Sequence, residues 1–275
     1  MPYITTSDGT RLHYLDRAGG GTVLMLVHGY TGSSADWEEL LPLLPDDWRI
    51  VRPDLRGAGE SDKPETGYLI ETYARDLADL AAALSLPPFV LIGHSMGGAV
   101  AAQFAIARQD LLRGLILLAP APLNGLAPPD PAMLAQMEQM RGNVALMKQM
   151  AQMTYARPLS DTTVERGIAQ GLKVSEGHRR ESLEAMVGLR LYERLPELKL
   201  PVLMVGGDLD NLVPVATMLE AYGRIPNCGL QIFHRVGHMV QQEVPLEFAS
   251  LVQDFVVNRA RPAGTTMGSV SAPPA

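Results

Sequence analysis

The stretch VLIGHSMGGAV, residues 90–100, decides how this chain is read. Phe89-Val90-Leu91-Ile92 is a short apolar run with β-branched residues, so it reads as a buried strand. Gly97 to Ala107 is small and apolar with no proline, so it reads as a buried helix. Ser95 then sits on the turn between strand and helix. Gly93 and Gly97 remove the Cβ atoms that so tight a turn would push together. The turn holds the serine hydroxyl exposed at the sheet edge. A serine there also has a plain structural use as a helix cap, so the nucleophilic reading depends on partners elsewhere in the chain.

Outward from this turn, strands and helices alternate. Strands are expected at Tyr3–Thr6, Leu12–Leu15, Val23–Val27, Arg49–Val51, Val90–Ile92, Gly114–Leu118, Val202–Val205 and Leu230–Phe233. Asp8-Gly9 joins the first two as a hairpin. Helices are expected at Trp37–Leu44, Tyr68–Leu84, Gly97–Arg108, Pro214–Tyr222 and Pro245–Val257. The alternation means βα units and a mostly parallel, doubly wound sheet of eight strands, an α/β fold. Apolar strands fit a sheet covered by helices on both faces.

The pattern breaks between Ala119 and Pro196. A proline-rich exit, APAPLNGLAPPDP, leads into a region without strand signal. Met133, Met137, Met140, Met147, Met150 and Met153 recur at helical steps and give one apolar face, interrupted at Gly142-Asn143. Two more helices are expected near Thr162–Leu172 and Arg179–Glu193. Residues 121–195 thus read as a helical cap inserted in a core made of 1–120 and 196–260. The tail 261–275 has no apolar period and is expected to be disordered.

A serine hydroxyl is a weak nucleophile and needs a base to take its proton. Histidine suits that task, and its imidazole needs an acceptor that fixes the tautomer and stabilises the cation. In a strand–turn–helix setting the chain order is serine, acid, histidine. That order is met: Asp208 and Asp210 follow the strand Val202–Val205, and His238 follows the strand Leu230–Phe233. Both lie beyond the carboxyl ends of strands, where open α/β sheets place their sites.

With these residues in view the chain resembles the α/β-hydrolase superfamily, in its capped serine hydrolase form. The resemblance spans residues 3–258. It rests on Gly93-His94-Ser95-Met96-Gly97, on HGYTGSSADW at 28–37, on RPDLRGAGESDKP at 52–64, on GGDLDNLVP at 206–214 and on VGHMVQQEVP at 236–245. It implies a catalytic triad of Ser95, Asp210 and His238. Asp210, rather than Asp208, fits the family spacing G-x-x-D-x-x-x-P. It implies an oxyanion hole from the backbone N–H groups of Tyr30 and Met96, each such donor contributing about 3–4 kcal/mol. Tyr30, Met239, Met137 and Met140 are the candidate substrate contacts. Asp54, Arg56, Gly57 and Ser61 resemble a structural loop of the family, and His28 and His94 read as loop-shaping neighbours. His13, His178 and His234 read as ordinary core or surface histidines.

The expected activity is hydrolysis of a carboxylic ester, thioester or lactone through an acyl-enzyme, with no metal or organic cofactor. The expected partner is a small molecule, an apolar ester or lactone. A carbon–carbon bond hydrolase shares the fold and triad, but such enzymes typically carry tryptophan after the histidine, where this chain has Met239. Arg190 could imitate their substrate-binding arginine. A ligand receptor on the same fold is the alternative from another class. Composition narrows the rest. The 275 residues carry 23 basic and 30 acidic side chains, a net charge of −7, which argues against nucleic acid and anionic membrane as partners. Cys228 is the one cysteine, so neither an intrachain disulfide nor a thiolate cluster is available. MPYITTSDGT has no basic start and no apolar signal core, so a cytoplasmic location is expected.

Overall fold

The computed structural model describes residues 2–132, 135, 139 and 143–260, with the backbone alone for 150–153. The expected tail disorder and the expected contacts Met137 and Met140 lie outside the described residues. The strands are β1 (Tyr3–Thr5), β2 (Arg11–Arg17), β3 (Val23–Val27), β4 (Arg49–Pro53), β5 (Phe89–His94), β6 (Leu112–Leu118), β7 (Val202–Gly207) and β8 (Cys228–Phe233). They form one eight-stranded sheet in the order β1-β2-β4-β3-β5-β6-β7-β8. β2 runs antiparallel to β1 and β4, and every other neighbouring pair is parallel. The mostly parallel, doubly wound α/β fold is as the βα alternation requires.

Burial explains the apolar strand runs. All of β3 is buried. Val23, Met25 and Val27 join the core on one face, and Leu24 and Leu26 join the core on the other. This is the period of two of a strand covered on both sides. The first face carries α1 (Ile70–Ala83) and α2 (Met96–Arg108). Each fully buried leucine, valine or phenylalanine contributes about 1.5–3 kcal/mol, so this central sheet is the rigid base on which the site stands.

Between β6 and β7 the chain leaves the sheet and forms α3 (Val144–Thr154), α4 (Asp161–Leu172) and α5 (Glu176–Gly188). The expected break at Gly142-Asn143 has a local cause at Asn143, whose side chain accepts the Leu146 amide and caps α3. α5 lies nearer the N-terminus than the expected Arg179–Glu193. Ser175 caps it through the His178 amide, and Leu189 turns to extended backbone and ends it. The chain closes with α6 (Val215–Tyr222), α7 (Val240–Glu243) and α8 (Pro245–Asn258), the last packed on the second face.

One expected helix is absent. Trp37–Leu44 is not an α-helix but a pair of 3₁₀ turns, Ser34–Trp37 and Leu41–Leu43. Pro42 lacks the N–H that an α-helix would use, Pro45 follows closely, and the chain tightens instead through Leu40 N–H to Trp37 and Leu43 N–H to Leu40 carbonyls.

Candidate active site

Ser95 stands between β5 and α2 with φ 54° and ψ −120°, a left-handed backbone that a serine adopts only under constraint. The constraints are backbone hydrogen bonds. The Ser95 amide donates to Leu118 at 2.9 Å, and the Ser95 carbonyl accepts from Gly98 and Ala121, each at 2.8 Å. The glycines are required by close approach. A Cβ on Gly93 would stand 2.1 Å from the Gly97 carbonyl oxygen, and one on Gly97 would stand 2.4 Å from the His28 carbonyl oxygen.

His238 and Asp210 come together as the resemblance implies. His238 Nδ1 lies 2.7 Å from Asp210 Oδ2, and their side chains are 6% and 0% exposed. A carboxylate only accepts, so Nδ1 carries a proton and points it at Asp210. The other Asp210 oxygen accepts the amides of Leu212 at 2.8 Å and Val213 at 2.9 Å. The loop reaches inward because Gly207 has no side chain: a Cβ there would sit 2.1 Å from the Val236 carbonyl oxygen. His94, the residue before the serine, packs its ring 4.8 Å from that of His238 and donates Nε2–H to the His238 carbonyl at 3.1 Å. Burial holds the His94 imidazole well below its ordinary range, so it stays neutral beside His238.

Asp208, the competing acid, faces the other way. It pairs with the exposed His234 at 2.7 Å and accepts the Arg235 amide at 2.6 Å.

The loop after β3 lies over the serine. A Cβ on Gly29 would stand 3.1 Å from Ser95 Cβ, which is why glycine occupies that place. The peptide unit that carries the Tyr30 N–H is held through its carbonyl, Gly29 O, which accepts His28 Nδ1–H at 2.8 Å and the Gly32 amide at 3.2 Å. His28 Nε2 accepts the Leu55 amide at 2.9 Å, which fixes the tautomer. The Met96 amide opens α2 and belongs to the first turn, where helix amides have no carbonyl partner of their own and attract negative charge. In the same loop Asp36 is buried, and burial pushes its carboxyl up to about 7 despite a bond from the Ser33 backbone.

The remaining expectations divide. Asp54 accepts from the amides of Ser34 and Glu60 and pairs with His13 at 2.8 Å, and Ser61 donates to the Asp54 carbonyl. That is a structural loop, as expected. Tyr30, a candidate substrate contact, donates its hydroxyl to the Arg179 carbonyl at 2.5 Å in the helical insertion. Met239 is half-buried and opens the short helix α7. Arg190 donates to the carbonyls of Asn124, Val187 and Leu189, so its charge is already committed to the backbone.

Glu243 carries a role that the sequence did not assign. It accepts the amides of Gly237 and Met239 on either side of His238, and those of Ala156 and Arg157 in the insertion. The His238 amide also donates to Thr154 at 2.9 Å. Glu243 lay inside the quoted motif VGHMVQQEVP, so the signal was present.

Among the described residues no helix is long and apolar enough to cross a membrane. A family model described as alpha/beta hydrolase fold matches residues 22–245. The chain is 30% identical over 263 residues to a non-heme haloperoxidase of Rhodococcus erythropolis, covering 86% of this chain and 93% of the relative. Among solved structures it is similar to an esterase of Exiguobacterium antarcticum, with 23% identity, a TM-score of 0.85 and coverage of 93% and 99%. It is also similar to an esterase of a Rhodococcus species, with 25% identity, a TM-score of 0.81 and coverage of 94% and 98%. The sheet order and the family match agree: the chain belongs to the alpha/beta hydrolase fold family.

Proposed function

We propose that this hydrolase cleaves carboxylic esters, including thioesters and lactones, through an acyl-enzyme on Ser95. His238 is the base and Asp210 the acid that orients it. The observation that carries the reading is the strained Ser95 turn beside a buried His238–Asp210 pair. Nδ1–H held by Asp210 leaves Nε2 free to take the serine proton as Oγ attacks the carbonyl carbon. The carbonyl oxygen becomes an oxyanion, which the amides of Tyr30 and Met96 stabilise. Collapse expels the alcohol with the proton from His238, and water then hydrolyses the acyl group by the same steps in reverse. The esterases among the structural neighbours support the choice of substrate. Arg190, bonded to three backbone carbonyls, offers no support for the carbon–carbon reading.

The helical insertion serves as a cap that roofs the acyl site, and the methionine-rich sequence of 133–153 favours a medium apolar group. Each buried methylene contributes about 0.8 kcal/mol, so each added carbon that fits should raise kcat/KM about fourfold.

The test is turnover of p-nitrophenyl acetate and butyrate by the wild type and by Ser95→Ala. Many turnovers per chain, lost at least about 10³-fold in a variant with unchanged unfolding, is the expected result. Near wild-type turnover in Ser95→Ala removes the nucleophile, and stoichiometric release by the wild type makes the protein a receptor.

A further inference from the structure

His178 read as an ordinary histidine in the sequence, and the proposed chemistry does not use it. It lies in the first turn of α5, fully buried in the helical insertion. Its Nε2 meets the carbonyl oxygen of Tyr30. That oxygen only accepts, so Nε2 carries the proton. Nδ1 is then the acceptor for the Tyr73 hydroxyl at 2.7 Å, with the Arg56 carbonyl oxygen beside it at 3.1 Å, and the Tyr73 and Ser182 hydroxyls lie 2.7 Å apart. With Nε2–H given to Tyr30, the chain of contacts runs Ser182, Tyr73, His178, Tyr30. The Tyr30 ring stacks on the imidazole at 5.7 Å with 22° between planes, and the rings of Tyr68 and Tyr73 close its edges. Gly57, with φ +81°, makes room: a Cβ there would sit 2.6 Å from His178 Cβ.

Tyr30 is therefore gripped from both domains. The peptide before it is held from the sheet domain, through Gly29 O to His28 and on to the Leu55 amide. The carbonyl after it is held from the insertion, through His178 to Tyr73 of α1. The amide between these two anchors is the one assigned to the oxyanion. We infer that His178 is a positioning residue: it fixes the Tyr30 carbonyl from the helical insertion, so that the Tyr30 N–H is already aimed when charge develops on the substrate oxygen. The inference rests on the acyl-enzyme reading above and adds a residue that touches neither substrate nor triad. Aimed donors cost no reorganisation at the moment of reaction, which is why a fixed loop outperforms a mobile one. Burial pushes the His178 imidazole down to about 4, so its donor pattern holds through neutral pH.

The test compares His178→Phe, His178→Gln and Tyr73→Phe in the full chain on p-nitrophenyl butyrate. Phenylalanine keeps the ring and removes the donor, whereas the glutamine amide reaches the place of Nε2 and restores it. His178→Phe should lower kcat by about 10-fold or more, less than the loss of a whole oxyanion donor, with KM changed less than about threefold. His178→Gln should recover most of kcat, and Tyr73→Phe should lower it by about threefold. The rate at which a fluorophosphonate labels Ser95 should fall in the same order. If His178→Phe does not fold, the other two variants decide: wild-type kcat in Tyr73→Phe overturns the inference. A kcat within twofold of wild type in a folded His178→Phe with lowered Tm makes His178 a structural anchor only. Equal losses in the Phe and Gln variants show that the donor is not what matters. Ester turnover that survives Ser95→Ala overturns the acyl-enzyme reading instead, and this inference with it.

Discussion

Two aspartate–histidine pairs stand a few residues apart in this molecule, with the same 2.7 Å separation. In one, Asp210 and His238 are buried, the second carboxylate oxygen is held by two amides, and the imidazole is packed against His94. In the other, His234 is 84% exposed and Asp208 is 32% exposed. Water screens the second pair and competes for each of its bonds. The first pair is sealed from water, with side chains 6% and 0% exposed. Contact distance is common to both, so it does not distinguish a catalytic pair from a surface one. Burial and the amides that hold the second carboxylate oxygen set the first pair apart, and they support the role proposed for it.

The comparison breaks most visibly at Asp210. Asp210→Asn should lower kcat by about 10⁴, as loss of the orienting acid does in comparable triads. Steady-state turnover of p-nitrophenyl butyrate measures it, and a loss below about tenfold would transfer the role elsewhere.

A third carboxylate sharpens the point about burial. Asp36 is as hidden as Asp210 but faces Glu39, Asp54, Tyr155 and Arg166 rather than an imidazole, and burial pushes it to about 7 from 3.8. Its folded pKa is raised, so its contribution to stability is full below about pH 4 and is lost as pH rises through about 7. Asp36→Asn should remove that loss. Relative to wild type the variant should gain stability between pH 4 and 7, on the order of 4 kcal/mol, and hold the gain above. Chemical denaturation at several pH values reads it, and a difference independent of pH would show that Asp36 titrates alike in the folded and unfolded chain.

The smallest effect is expected at the exposed pair. Asp208→Asn and His234→Ala should each change kcat by less than about twofold, since a screened surface pair contributes little. A larger loss at Asp208 than at Asp210 would exchange the two assignments.

Much of this was legible in the sequence because it is local. The run Phe89 to Ile92, two close-approach glycines and the helix after them specify the Ser95 turn within about a dozen residues. The chain order of acid and histidine follows from βα units, each of which places its loop at the same sheet edge. Local patterns fail where the deciding partner is distant. Trp37–Leu44 is a different case, where the counter-signal is local: the apolar spacing is helical, but Pro42 lacks the donor an α-helix needs. His178 has no sequence signature, since Tyr30 and Tyr73 approach it only when the insertion folds back on the sheet domain. The bond from the Tyr30 hydroxyl to the Arg179 carbonyl is likewise invisible in the sequence, because the two residues lie 149 positions apart.

The central claim is that a strained turn and a buried pair make Ser95 the nucleophile. Intact-mass analysis of the wild type after reaction with a fluorophosphonate, followed by peptide mapping, tests it most directly. One adduct per chain on the peptide that holds Ser95, formed far more slowly in Asp210→Asn than in Asp208→Asn, is the predicted result. An adduct on another residue, or none in a chain that still turns over esters, would contradict it.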